Sequence, residues 1–240
     1  MLLFLLTPAI VLFAQEPMIK EETLGYQQQR VFWVQEYKNN TGDVLGVLVL
    51  HGATTEENFK SLINNKLGPW LKEFSQKKPL VVVYPLGLPG RCPVPKENIC
   101  WPFRQPWEDI PFLKDVIEKV SRQHALKRWI AIGISNGGYY LASVIQSGER
   151  LPISDVINII GGKGWWFKPK AVWQPNLYIL AGNKDKENRA NARMLYRELK
   201  KTGYGGKAAL SYEEFQGGHE IPFEKLAQLL EKIAAVPPQN

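Results

Sequence analysis

Ser135 stands in the pentapeptide Gly133-Ile134-Ser135-Asn136-Gly137, at the end of the apolar run RWIAIGI. A G-x-S-x-G pattern between a strand and a helix makes a turn so tight that the serine must take a strained backbone conformation. A side chain at Gly133 or Gly137 would collide with the neighbouring strand or helix. The turn lifts the hydroxyl above the sheet, and the following helix points its N-terminal dipole at charge developing there. The chemistry this spacing offers is nucleophilic attack by a serine.

A serine hydroxyl is a poor nucleophile unless a base takes its proton. The chain has three histidines, His51, His124 and His219. In the chain order serine, acid, histidine, the base comes last, which selects His219 in FQGGHEIP, where Gly217 and Gly218 give the backbone freedom to aim the imidazole. His124, at the end of a helix beside basic residues, reads as a surface residue. His51 in LVLHGAT is the alternative base. For the acid, YILAGNKDKEN places Asp185 just beyond a buried strand, with Glu187 as its competitor. A carboxylate there would fix the imidazole tautomer and stabilise its cation. Two backbone N–H groups must receive the developing oxyanion. One belongs to Asn136, and the loop HGATT supplies the other through Ala53.

These residues need strands to carry them. Short β-rich runs alternate with helical patterns. Residues 30–37 and 44–50 read as two strands joined by the turn-rich KNNTGD, a hairpin at the sheet edge. Residues 57–76 read as a helix that Gly68-Pro69 should kink or break, started by a Thr54–Glu57 capping box. LVVVYP is a strand buried on both faces. DIPFLKDVIEKVSRQH is an amphipathic helix with Asp109 as N-cap and Pro111 in its first turn. Further strands are expected at 128–134, 156–160, 176–182 and 208–215, with helices at 137–147, 188–201 and over PFEKLAQLLEKIAAV. Strand–helix alternation with buried strands means a mostly parallel sheet with helices on both faces, whose chemistry gathers beyond the carboxyl ends of the strands.

Bulk properties set limits. At 240 residues and 45% hydrophobic composition, one domain with one core is expected. The first fourteen residues, MLLFLLTPAIVLFA, are apolar apart from Thr7 and Pro8. The run falls short of the roughly 20 residues that span a bilayer. It fits the apolar core of a secretory signal cleaved after Ala14, although no Lys or Arg follows Met1. The folded domain would then be residues 15–240, with no stable membrane span after cleavage. The two cysteines, Cys92 and Cys100, close a proline-rich loop and read as a disulfide of an oxidising compartment, secreted or periplasmic. The formal net charge is +7, but Lys and Arg are scattered, so a solvated basic surface is expected and no nucleic-acid partner. Three histidines and two cysteines leave too few ligands for a metal site, and no cofactor is expected.

On LHG at 50–52, DIPFLKDVI at 109–117, GISNGG at 133–138, AGNKD at 181–185 and GGHEIP at 217–222, the chain resembles the α/β-hydrolases. Within them it is similar to the polyhydroxybutyrate depolymerase and feruloyl-esterase-like group (LpqC-like esterases). The resemblance implies an α/β-hydrolase fold and hydrolysis of small-molecule or polymer-linked carboxylic esters through Ser135, Asp185, His219 and an acyl-enzyme. Two positions depart from that group. Ala181 stands where it usually has His, and Ile221 where it usually has Trp, so polymer depolymerisation is not carried over. Trp165 and Trp166 in GGKGWWFKP, and Trp101 in ICWPF, are expected as aromatic walls of the substrate pocket. Two readings compete with the esterase: a serine peptidase of the same fold, and a binding protein that keeps the fold without the chemistry.

Overall fold

A computed structural model describes residues 19–25, 29–37, 43–92, 98–164, 173–206 and 208–236. The leader expected over residues 1–14, and the pair Trp165 and Trp166, lie outside them. Three aliphatic runs, Leu45–Leu50 (β3), Leu80–Pro85 (β4) and Trp129–Ile134 (β7), are buried at every position. Strands with no polar face belong inside a sheet covered on both sides. Together with Lys20–Leu24 (β1), Arg30–Tyr37 (β2), Asp155–Ile159 (β8), Asn176–Gly182 (β9) and Leu210–Phe215 (β10), they form one eight-stranded sheet in the order β1-β2-β4-β3-β7-β8-β9-β10. The strands from β4 to β10 are parallel, and β1 and β2 are antiparallel at one edge. A small ribbon, Leu88–Pro89 (β5) with Ile99–Cys100 (β6), lies outside the sheet.

The expected hairpin between β2 and β3 does not form. β4 stands between them, paired antiparallel with β2 (Phe32 opposite Pro85, Tyr37 opposite Leu80) and parallel with β3. β3 has no exposed position, so it needs a buried neighbour on each side. β2 keeps Glu36 in water and suits the outer place.

Helices cover both faces. Ile110–His124 (α3), Asn136–Ser147 (α4) and Lys186–Lys201 (α5) pack against one, through residues such as Phe112, Leu141 and Leu195. The other carries Glu56–Leu62 (α1), Gly68–Ser75 (α2) and Phe223–Ala235 (α6), through Phe59, Leu71 and Leu230. Each such side chain contributes about 1.5–3 kcal/mol on burial.

Where a kink or break at Gly68-Pro69 was expected, α1 runs into α2 through a π turn at Ile63–Leu67. Phe59, Ile63, Leu67 and Leu71 are buried at every fourth position. An α-helix would rotate that stripe by about 40° per step. The wider π turn keeps it on the core, and Gly68 N–H reaches back to the carbonyl of Ile63. The cap is also one residue later than expected. Thr54 is engaged through its backbone, with Ile99 N–H donating to its carbonyl at 2.7 Å, and Thr55 Oγ1 accepts from Asn58 N–H at 3.2 Å. Asp109 does occupy the N-cap position of α3, but its side chain makes no capping bond. It accepts from Arg30 Nη1 at 2.7 Å, a pair buried on both sides.

Candidate active site

Ser135 joins the carboxyl end of β7 to the first turn of α4. Its backbone lies at φ 51°, ψ −113°, in the positive-φ region that residues with a side chain rarely visit. Ser135 N–H donates to Ile159 carbonyl at 2.8 Å, and its own carbonyl accepts from Tyr139 N–H at 3.0 Å. The flanking glycines have steric reasons. A Cβ at Gly133 would meet the Gly137 carbonyl oxygen at 2.7 Å, and one at Gly137 would sit on the Leu50 carbonyl. The turn exists only where strand, turn and helix backbones touch.

β9 and β10 bring the other two residues to the same place. Their parallel register ends with Gly182 beside Phe215 and continues into the loops: Asn183 N–H donates to Phe215 carbonyl and Lys184 N–H to Gly217 carbonyl. The acid loop and the histidine loop are thus tied together before either side chain is considered. His219 Nε2 lies 2.9 Å from Ser135 Oγ, and His219 Nδ1 lies 2.7 Å from Asp185 Oδ2. Glu187, the competing acid, is exposed in the first turn of α5.

Asp185 also caps α5, accepting from Asn188 N–H at 3.3 Å. Asn188 Nδ2 sits 3.0 and 2.8 Å from the two carboxylate oxygens and 3.2 Å from His219 Nδ1. With both amide hydrogens on the carboxylate, Nδ1 of His219 is left to donate to Asp185 and Nε2 to accept from the serine. Burial alone would push the Asp185 carboxyl up, but the bonds from His219 and Asn188 together hold it below its usual range. Asn188 is held in turn by Tyr139, whose hydroxyl donates to Asn188 Oδ1 at 2.9 Å and accepts from Asn191 at 3.0 Å.

His51 has a different use. It is buried, its Nδ1 is 2.6 Å from Gly52 carbonyl, and its Nε2 accepts from Gly87 N–H at 2.9 Å. Both ring nitrogens are committed, so the ring is neutral with the proton on Nδ1, and neither nitrogen is left for Ser135. Burial pulls its pKa down to about 4. His51 instead braces the loop that carries Ala53. A Cβ on Gly52 would lie 3.2 Å from Ser135 Cβ, so this loop runs alongside the serine. His124 is half-buried rather than on the surface, with Nε2 3.7 Å from Glu36, because α3 packs against the sheet edge there.

Trp101 is not a pocket wall. It is fully buried, with its ring 5.2 Å from His51 and 5.6 Å from Tyr140. Its backbone is clamped by Asn136, which turns the ring inward. Cys92 and Cys100 form a disulfide with Cα atoms 5.4 Å apart. Asn158, in the middle of a strand and fully buried, donates to Gly138 carbonyl and accepts from Gly161 N–H behind the serine turn. A buried amide in an aliphatic strand was the available sign of such a bond.

A cleft of about 570 Å³ opens over Ser135 and His219. Phe59, Leu62, Ile221 and Phe223 give it apolar walls, and Lys66 and Glu220 bring charge to its lining. Among the described residues no group of three His, Cys, Asp or Glu side chains could hold a metal ion, and no helix is long and apolar enough to cross a membrane.

The parallel sheet, the helices on both faces and the serine turn define an α/β-hydrolase fold. No model of a known protein family matches the chain, and no curated protein matches it. Solved structures do. An IroE-like serine hydrolase from Shewanella oneidensis aligns with TM-score 0.63 at 12% identity, over 92% of this chain and 82% of its own. A carboxylesterase from Mesorhizobium loti aligns with TM-score 0.61 at 14% identity, over 86% and 95%. LpqC, a poly(3-hydroxybutyrate) depolymerase from Bordetella parapertussis, aligns with TM-score 0.58 at 12% identity, over 92% and 93%. At these identities the likeness is one of fold.

Proposed function

We propose that the protein is an exported serine hydrolase that cleaves carboxylic esters through Ser135, His219 and Asp185. The observation that carries this reading is the unbroken hydrogen-bond chain from Asp185 to His219 to Ser135, ending on a strained turn at a helix N-terminus. His219 Nε2 takes the Ser135 proton as Oγ attacks the ester carbonyl. The backbone N–H groups of Ala53 and Asn136 receive the oxyanion, and Asp185 stabilises the imidazolium. The tetrahedral adduct collapses, the C–O bond to the alcohol breaks, and His219 returns the proton to the leaving oxygen. Water, deprotonated by His219, then attacks the acyl-enzyme and releases the acid and free Ser135. The ester reading is supported by neighbours in fold that are named carboxylesterases or esterases. The Cys92–Cys100 disulfide supports export to an oxidising compartment.

Turnover of p-nitrophenyl esters against matched peptide p-nitroanilides tests this. Fast ester cleavage with little amide cleavage is expected. A preference for the amide would make the protein a peptidase, and no turnover of either would leave a binding protein.

A further inference from the structure

Within the hydrolase reading, we propose that Lys66 forms a subsite for an anionic group, and that preferred substrates are esters carrying a carboxylate or similar anion beyond a short apolar spacer. Phe59, Leu62 and Lys66 are spaced three and four residues apart, share one helix face and all line the cleft over Ser135. The π turn at Ile63–Leu67 keeps Leu67 in the core while leaving Lys66 on the cleft side. Single π turns recur at functional sites. Beside Lys66 the polar side chains of the lining are His51, Thr54, Ser135, His219 and Glu220, and the Glu220 carboxylate turns back to accept from Gly218 N–H at 3.3 Å. Phe59 and Leu62 thus share the cleft lining with Lys66, and the cleft offers a substrate both an apolar stretch and a cation. The formal net charge of +7 favours approach of anionic molecules in general, and Lys66 supplies the local point of contact.

Two matched pairs of esters test the subsite: methyl hydrogen adipate with methyl heptanoate, where the anion is on the acyl part, and 4-acetoxybenzoate with phenyl acetate, where it is on the leaving group. The reading is the ratio of kcat/KM, anionic over neutral, in each pair. In at least one pair Lys66→Met should lower that ratio roughly threefold to tenfold, through KM. Lys66→Arg should hold it, and added salt should erode it in the native protein. A ratio that Lys66→Met leaves unchanged in both pairs, or that salt does not touch, overturns the subsite. Neutral esters that are still hydrolysed in that case keep the hydrolase reading intact. A native protein inert towards all four esters overturns both.

Discussion

The side chain of Asn136 holds both backbone groups of Trp101. Its Oδ1 accepts from Trp101 N–H at 2.7 Å, and its Nδ2 donates to Trp101 carbonyl at 3.3 Å. This buried pairing joins the first residue of α4, beside Ser135, to the segment that follows the disulfide. Asn136→Ala would leave the buried Trp101 N–H without a partner, at about 1–3 kcal/mol, while the Trp101 carbonyl keeps its bond from Phe103 N–H at 2.9 Å. The variant should unfold in urea with a stability lower by about 1–3 kcal/mol, and Asn136→Asp, which keeps the acceptor, should lose less. An Asn136→Ala protein as stable as the parent would mean that the clamp contributes nothing.

His51 makes the fold sensitive to acid. Its folded pKa of about 4 lies below the usual value of about 6.5. Between those values the unfolded chain binds a proton that the folded chain refuses, so stability falls as pH falls. The full loss approaches roughly 3 kcal/mol by pH 4, and about 2 kcal/mol of it is gone at pH 5. Urea titrations of the native protein and of His51→Gln at pH 7.5 and pH 5 would check this. The variant should start less stable, because Gly52 and Gly87 lose their partner, yet show a shallower decline. Parallel declines in the two proteins would remove His51 as the cause.

Asp185 is both the partner of His219 and the cap of α5, and two substitutions separate these uses. Asn is as good an N-cap as Asp, so Asp185→Asn should stay within about 0.5 kcal/mol of the parent. Its ester turnover should fall by about two to four orders of magnitude, because the amide favours the wrong imidazole tautomer. Asp185→Ala should lose activity and a further ~1 kcal/mol of stability. Glu187→Gln should remain within a few-fold of the parent rate. A crippled Glu187→Gln beside an active Asp185→Asn would exchange the two carboxylates.

Why some of this could be read from the chain and some could not follows from range. Ser135 announced itself because glycines before and after it, at the end of a β-rich run, have a local steric cause, and His219 and Asp185 because chain order and strand ends constrain them. β4 lies between β2 and β3 for a non-local reason: which strand can bear water is settled by the whole sheet, while KNNTGD suggests a turn whatever its strands pair with. The π turn escaped because a period of four residues looks helical until the drift is summed. Trp101 was misplaced because an aromatic residue in a rim loop gives no sign of facing inward. Its clamp, Asn136, lies 35 residues away in the chain.

The disulfide closes a loop of sequence separation 8. Constraining so short a loop stabilises by about 2–3 kcal/mol in the chain-entropy account. Cys92→Ser with Cys100→Ser should lower the unfolding free energy by that order. Peptide mapping without reductant, on protein recovered from the export pathway, should find the two cysteines linked and the chain starting near Gln15. Two free thiols in that material would remove the argument for export.

Ser135 carries the central claim, and a fluorophosphonate probe reads it most directly. Intact-mass analysis of the native protein should show one adduct, mapped to Ser135, with p-nitrophenyl acetate turnover lost in step with labelling. Ser135→Ala, folded by circular dichroism, should take no label and should lose turnover by roughly five to six orders of magnitude. An adduct on another residue, or a Ser135→Ala protein that hydrolyses the ester at the parent rate, would contradict the account.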